Sequence, residues 1–244
     1  MNRIGIIDWG IGGLGLCRYL TEKGAPPLIY FSDSGFTPYG KVEKTELKKR
    51  VEKVIGWMLA QGCTHVAVAC NAASTVTYRD NPKIIDIITH GLALLNKMKD
   101  KKVALLGGRR TVLSRCYALG APEINIRQRI AQPLSALVEA GELNSKKLHD
   151  TIEKIVKPVR NCDVIFLACT HYPAVVAQIR EHLPEQIMIS DPAESMGKWI
   201  LEHWKPFDKK CITQFYTSGN AETMRVSGRK AFGVEMRDVS RIKV

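Results

Sequence analysis

Short apolar runs alternate with longer amphipathic stretches along the whole chain. Runs of strand-forming residues at 3–8, 27–32, 65–70, 102–107, 164–169, 187–190 and 212–217 predict buried strands. Between them apolar positions recur at helical spacing, most clearly over 44–61, from 136 onward, over 148–159 and over 174–182. This alternation predicts an α/β protein with mostly parallel sheets.

The pattern contains an internal echo. The segment from Cys63 to Cys70 resembles the segment from Cys162 to Cys169: a cysteine, six residues mostly of strand formers, and a second cysteine where the strand ends. Polar residues follow each time, Asn71 after Cys70 and Thr170-His171 after Cys169. In open α/β sheets ligands bind at the carboxyl ends of strands, so two related α/β units would frame a cleft with these two thiols. The other five cysteines, Cys17, Cys63, Cys116, Cys162 and Cys211, read as structural, the usual fate of a free thiol. No C-x-x-C pair occurs, which argues against a zinc site, and an odd count of seven argues against a disulfide framework.

The loop after the first strand has glycines at 10, 12, 13 and 15 and fits G-x-G-x-x-G, with Asp33 at roughly the ribose-binding distance. A dinucleotide site is the competing reading. Against it, Asp8 would put a carboxylate close to the pyrophosphate, and both Cys-polar motifs would go unexplained.

Composition narrows the class. Hydrophobic residues at 45% of 244 suffice for a real core, and no apolar run is long enough to cross a membrane or serve as a leader. A soluble, cytoplasmic protein is expected. The net charge of +12 attracts anions, from nucleic acid to small dicarboxylates. Its lysines are interleaved with glutamates, as at 41–53, and no nucleic-acid reading motif accompanies them. The expected partner is therefore a small amino acid or dicarboxylate, not nucleic acid or membrane, with a homodimer left open.

Five segments together resemble the aspartate/glutamate racemase family, in particular its glutamate racemase branch. They are 4–14, with Asp8 before the glycine loop; Pro38-Tyr39-Gly40; 69–74, around Cys70-Asn71; Gly107 through Thr111; and 168–173, containing Cys-Thr-His-Tyr-Pro. The resemblance covers essentially the whole chain. It implies two flavodoxin-like α/β domains with the active site in the cleft between them, roughly 1–96 plus 206–244 and 97–205. By the same resemblance Cys70 and Cys169 are the catalytic thiols, assisted by Asp8, His171 and Glu139. Substrate-binding positions are Trp9, Pro38, Tyr39, Gly40, Asn71, Ala72, Thr111 and Thr170. Neither cofactor nor metal is implied.

The chemistry suits these residues. Racemisation removes an α-proton from one face and returns one to the other, so two acid/base groups on opposite walls are a natural solution. One thiol must be ionised while the other is protonated, and their roles swap with the enantiomer bound. Helices expected to open at Asn71 and Thr170 would put N-termini beside both sulfurs, to stabilise a thiolate and receive the substrate carboxylate. Taken alone, Asp8 reads as a cap, His171 as a core residue and Glu139 as part of a surface helix. The two cysteines raise them above that.

The chain also departs from the family. Asp-Ser is here Asp8-Trp9, Cys-Asn-Thr is Cys70-Asn71-Ala72, and arginines stand at 109 and 110 where relatives usually place a threonine nearby. Each missing hydroxyl removes a hydrogen bond worth about 1–3 kcal/mol if buried. Arg109 and Arg110 either bind a distal carboxylate or face solvent. The expected activity is amino-acid racemisation, of the glutamate or aspartate type, with D-glutamate for peptidoglycan as the default role. The rivals are a diacid isomerase or decarboxylase on the same scaffold, and a basic binding protein derived from a racemase.

Overall fold

A computed structural model describes residues 3–25, 27–77, 81–204 and 212–244. Among these residues ten strands fall in two sheets, and every pairing is parallel. They are β1 (Arg3–Asp8), β2 (Leu28–Ser32), β3 (Cys63–Val68), β4 (Ile84–Asp86), β5 (Lys102–Gly107), β6 (Asn125–Ile130), β7 (Val164–Ala168), β8 (Met188–Ser190), β9 (Gln214–Thr217) and β10 (Val239–Arg241). The first sheet has the order β10-β9-β2-β1-β3-β4 and the second β6-β5-β7-β8. All seven expected strands are present, β1 and β5 with the expected ends and the other five with shifted ends, and the sequence reading missed β4, β6 and β10. The α/β class with two mostly parallel sheets is borne out.

Alternation along the central strands explains the layering. Ile4 and Ile6 of β1, with Leu28 and Tyr30 of β2, face a core shared with Ala104 and Leu106 of β5 and Ile165 and Leu167 of β7. The opposite residues Ile7, Ile29, Phe31, Val66 and Val68 pack under the helix Lys44–Ala60, through its Leu47, Val51, Val54 and Met58. On the second sheet Val103, Leu105, Val164 and Phe166 pack against Ile88 and Tyr117. Both sheets thus bury both faces, and their functional groups collect at the strand ends.

Helix boundaries follow cap chemistry. Ser145 accepts from the Leu148 N–H and starts Lys146–Val156, while Gly141, at φ 70°, turns the chain after Gln132–Glu139. The helix Pro192–His203 packs across to the first sheet's side: Gly197 lies against Tyr19, and Trp204 stacks on His65 at 4.6 Å. Among the described residues no helix is long and apolar enough to cross a membrane.

Asp191 caps that helix by accepting from the Ala193 N–H at 2.9 Å, and burial pushes its carboxyl from an ordinary 3.8 up to about 6. A group raised by folding contributes stability below its unfolded value and loses it as pH climbs through the folded one. Asp191→Asn keeps a capping oxygen without the charge. The variant is expected to match the parent near pH 4 and to gain about 1–2 kcal/mol above pH 6, a few degrees in melting temperature. Thermal melts at pH 4 and pH 8 check this; an equal gain at both would point to packing, not ionisation.

Candidate active site

The carboxyl ends of β1, β3, β5 and β7 converge on a cavity of about 660 Å3. All thirteen residues singled out from the sequence line it: Asp8, Trp9, Pro38, Tyr39, Gly40, Cys70, Asn71, Ala72, Thr111, Glu139, Cys169, Thr170 and His171. Cys70 stands two residues beyond β3 and Cys169 one beyond β7, so the first sheet supplies one thiol and the second the other.

Asn71 opens a helix as expected, but only the four residues Asn71–Ser74, capped by Cys70. Thr170 opens none: Cys169 is followed by a 3-10 turn, Tyr172–Val175, that leads into the helix Val176–Glu181. Backbone N–H groups of Ala73 and Trp9 face the Cys70 sulfur. They are outweighed by burial and by the neighbouring Asp8 carboxylate, which together hold the Cys70 thiol well above the usual range. Asp8 is itself fully buried, and burial raises its carboxyl despite the opposing charge of His171. Its Oδ1 accepts from the Trp9 N–H at 2.6 Å, and the Thr170 side chain also favours its charged form.

The second thiol sits in a different setting. Cys169 Sγ lies 3.7 Å from His171 Nδ1, and His171 Nε2 lies 2.5 Å from Glu139 Oε1. Burial works against a charge on His171, but Cys169 and Glu139 outweigh it and hold the imidazole well above its ordinary value. Glu139 Oε1 also accepts from the Ile11 N–H at 2.7 Å, which joins the glycine loop of the first sheet to the relay of the second.

That contact accounts for the glycines. A side chain at position 10 would collide with the Glu139 carboxylate. One at position 12 would collide with Thr170 Oγ1 and come within 2.8 Å of His171 Nδ1. The loop is bare so that the second sheet's residues can approach it, and the space a pyrophosphate would need is filled by protein. Asp33 is likewise committed within the protein. Buried, it accepts from Tyr39 Oη at 2.7 Å, from Arg50 Nε at 2.8 Å and from Ser218 Oγ at 2.8 Å.

Arg109 is exposed, as one of the two expectations had it, whereas Arg110 does something neither described: its Nε donates to the Tyr39 carbonyl at 2.8 Å and its Nη2 to the Val42 carbonyl. Arg110 therefore ties the loop carrying Tyr39 and Gly40 across the cleft to the helix Arg109–Ser114. Trp9 is half-buried, and its indole N–H donates to the Phe36 carbonyl at 3.0 Å, which pins the same loop from the other side. Asn71 Oδ1 accepts from Tyr117 Oη at 2.8 Å, another bond between the two halves.

Sequence reasoning missed several lining residues, among them Lys41, Gln132, Ser135 and Thr223. Ser135 and Glu139 are four residues apart on one helix, so the position of Glu139 was itself a signal for Ser135. The structural reading of Cys17 and Cys63 agrees with their surroundings, since burial pushes both thiols up to about 12. Cys211 lies outside the described residues. Among the described residues no cluster of His, Cys, Asp and Glu is arranged to hold a metal.

The family model for Asp/Glu/hydantoin racemases matches residues 17–196. The chain belongs to that family. A glutamate racemase from Thermoanaerobacter is 26% identical over 100% of this chain and 98% of its own length. One from Desulforudis audaxviator is 30% identical over 78% of this chain and 74% of its own. Among solved structures, a glutamate racemase isoform from Bacillus anthracis superposes with a TM-score of 0.88 at 21% identity, covering 100% of this chain and 98% of that one. The Francisella tularensis glutamate racemase superposes at 0.87 and 22% identity. Both solved structures share the fold over nearly the full length. The chain is an amino-acid racemase of the glutamate racemase type.

Proposed function

We propose that this racemase moves the α-proton of a small amino acid between Cys70 and Cys169, without a cofactor. The observation that carries the reading is one cavity with a thiol from each sheet, each backed by its own acid: Asp8 behind Cys70, and the His171–Glu139 pair behind Cys169. The two halves of the cleft would be domains of 1–96 plus 206–244 and of 97–205.

In the resting site Cys70 keeps its proton, because burial and Asp8 both disfavour the thiolate. His171, held protonated, supplies the positive charge that a thiolate at Cys169 needs. The Cys169 sulfur takes the proton from Cα, leaving the electron pair on carbon, and the Cys70 S–H delivers its proton to the opposite face. The enantiomer leaves with the two sulfurs exchanged in protonation, ready for the reverse direction. Asp8, raised by burial, is suited to stand next to a Cys70 thiolate as a neutral acid.

Glutamate is the default substrate, since the relatives are glutamate racemases and the Francisella structure contains D-glutamate. Two positions in this chain argue for reduced use of it. Ala72 lines the cavity with no hydroxyl, and the one polar group of the Trp9 side chain is committed to Phe36. The test is α-proton exchange in deuterated water with a panel of L- and D-amino acids. We expect exchange with inversion for both enantiomers of at least one small amino acid, with glutamate a poor substrate. No exchange with any of them overturns the reading. Ala72→Thr restores one hydroxyl and is expected to raise kcat/KM for glutamate roughly tenfold. Trp9→Ser also releases the Phe36 loop, so the single change at 72 is the cleaner measurement.

A further inference from the structure

Besides the relay of His171 and Glu139 and the Tyr172 side chain, Cys169 has a further neighbour. Ser135 Oγ lies 3.4 Å from Cys169 Sγ. Ser135 is buried, at 6% exposure, and sits one helical turn before Glu139 on Gln132–Glu139. One helix face thus presents a hydroxyl to the sulfur and a carboxylate to the imidazole beside it.

The donor inventory gives these two neighbours different capacities. A protonated imidazole only donates, so it matches the thiolate and has nothing to accept from a thiol. A hydroxyl does both, since its hydrogen rotates: it donates to a thiolate and accepts from an S–H. The proton arrives at and leaves Cys169 in successive half-reactions, and a partner that reverses its hydrogen bond suits both states.

We propose that Ser135 is a further catalytic residue, a reversible hydrogen-bond partner that follows the Cys169 sulfur through both protonation states. Its kinetic consequence rests on the two-thiol reading above; its effect on the sulfur does not. The titratable groups facing Cys169 are His171 and Tyr172 from its own turn, Glu139 through His171, and Cys70 across the cavity with Asp8 behind it. All of them remain in a Ser135 variant.

The test needs no substrate. Free protein is alkylated with iodoacetamide at pH 7 and pH 9.5, and the rate at Cys169 is read by mass spectrometry, with Cys70 as internal control. Removing a donor from a thiolate lowers the fraction ionised at the lower pH. In Ser135→Ala the ratio of the rate at pH 7 to that at pH 9.5 is expected to fall roughly threefold to tenfold at Cys169 and to stay put at Cys70. Ser135→Thr, which keeps the hydroxyl, is expected to retain the parent ratio. On an amino acid that is racemised, kcat/KM in Ser135→Ala falls by the same factor in both directions, because enantiomers have equal free energy and their equilibrium constant is one. An unchanged ratio at Cys169 in Ser135→Ala overturns the role of Ser135 whatever the substrate. Absence of exchange with every amino acid overturns the racemase mechanism instead and leaves the alkylation result standing.

Discussion

Cys169→Ala and Cys70→Ala are each expected to lose racemisation by at least roughly 10³-fold, within the range that a single acid/base group supplies. The two lesions should nevertheless differ in a telling way. With Cys169 gone, Cys70 remains on one face of the substrate, so it can exchange the α-proton of one enantiomer with solvent but cannot invert it. With Cys70 gone, the remaining thiol addresses the other face and the other enantiomer. Deuterium incorporation followed separately for the two enantiomers should therefore show opposite one-sided exchange in the two variants. Exchange in Cys169→Ala should be the slower, since burial and Asp8 hold its remaining thiol protonated. Cys162→Ala, half-buried beside the second sheet and away from the cavity lining, should keep parental turnover. Full racemisation by Cys169→Ala would sink the two-base mechanism outright.

Much of the fold could be read from the sequence because its central strands are buried on both faces. Short continuous apolar runs such as those of β1, β5 and β7, flanked by turn residues, suit a central parallel strand better than a helix. The missed strands lacked that signature. β6 is a sheet edge whose sequence alternates Arg127 and Arg129 with less polar neighbours, and β4 and β10 are three residues long. The thiols and their acids were legible through the echo of the two Cys segments and the Cys-Thr-His-Tyr-Pro string. What those residues touch was not. Glu139 meets the glycine loop 128 positions away, and nothing in the loop says whether a phosphate or a carboxylate fills the space above it. Arg110 has the charge of a carboxylate binder, yet it is consumed by two backbone carbonyls whose position only the folded chain defines. Ser135 is one hydroxyl on an amphipathic helix until the turn of Cys169 is brought against it.

The glycine loop also gives the sharpest steric prediction. Gly12 has an ordinary negative φ, so alanine there is acceptable to the backbone and the whole effect lies in what the new methyl meets. It would collide with Thr170 Oγ1 and approach His171 Nδ1 to 2.8 Å and Cε1 to 2.9 Å. His171 has little room to retreat, because its far nitrogen is 2.5 Å from Glu139, and Glu139 is bonded in turn to Ile11 next to the substituted residue. The strain must push the turn carrying Cys169 away from the loop. A displacement of about 1 Å in a catalytic group costs on the order of 10²-fold in rate. Gly12→Ala is therefore expected to lower kcat about 10²-fold while destabilising the fold by only about 1–3 kcal/mol, the usual cost of overpacking. Gly56→Ala provides the contrast. Gly56 lies exposed within the helix Lys44–Ala60 with nothing within 4 Å of an added methyl, so alanine should stabilise the protein by about 1 kcal/mol and leave turnover alone. Thermal melts and turnover on the best substrate of the exchange panel separate the two effects. The ring resonances of His171 should move in Gly12→Ala and stay fixed in Gly56→Ala. Parental kcat in a folded Gly12→Ala variant would mean that the Thr170–His171 turn yields without cost, and that the bare loop serves chain folding instead of the placement of His171 against Cys169.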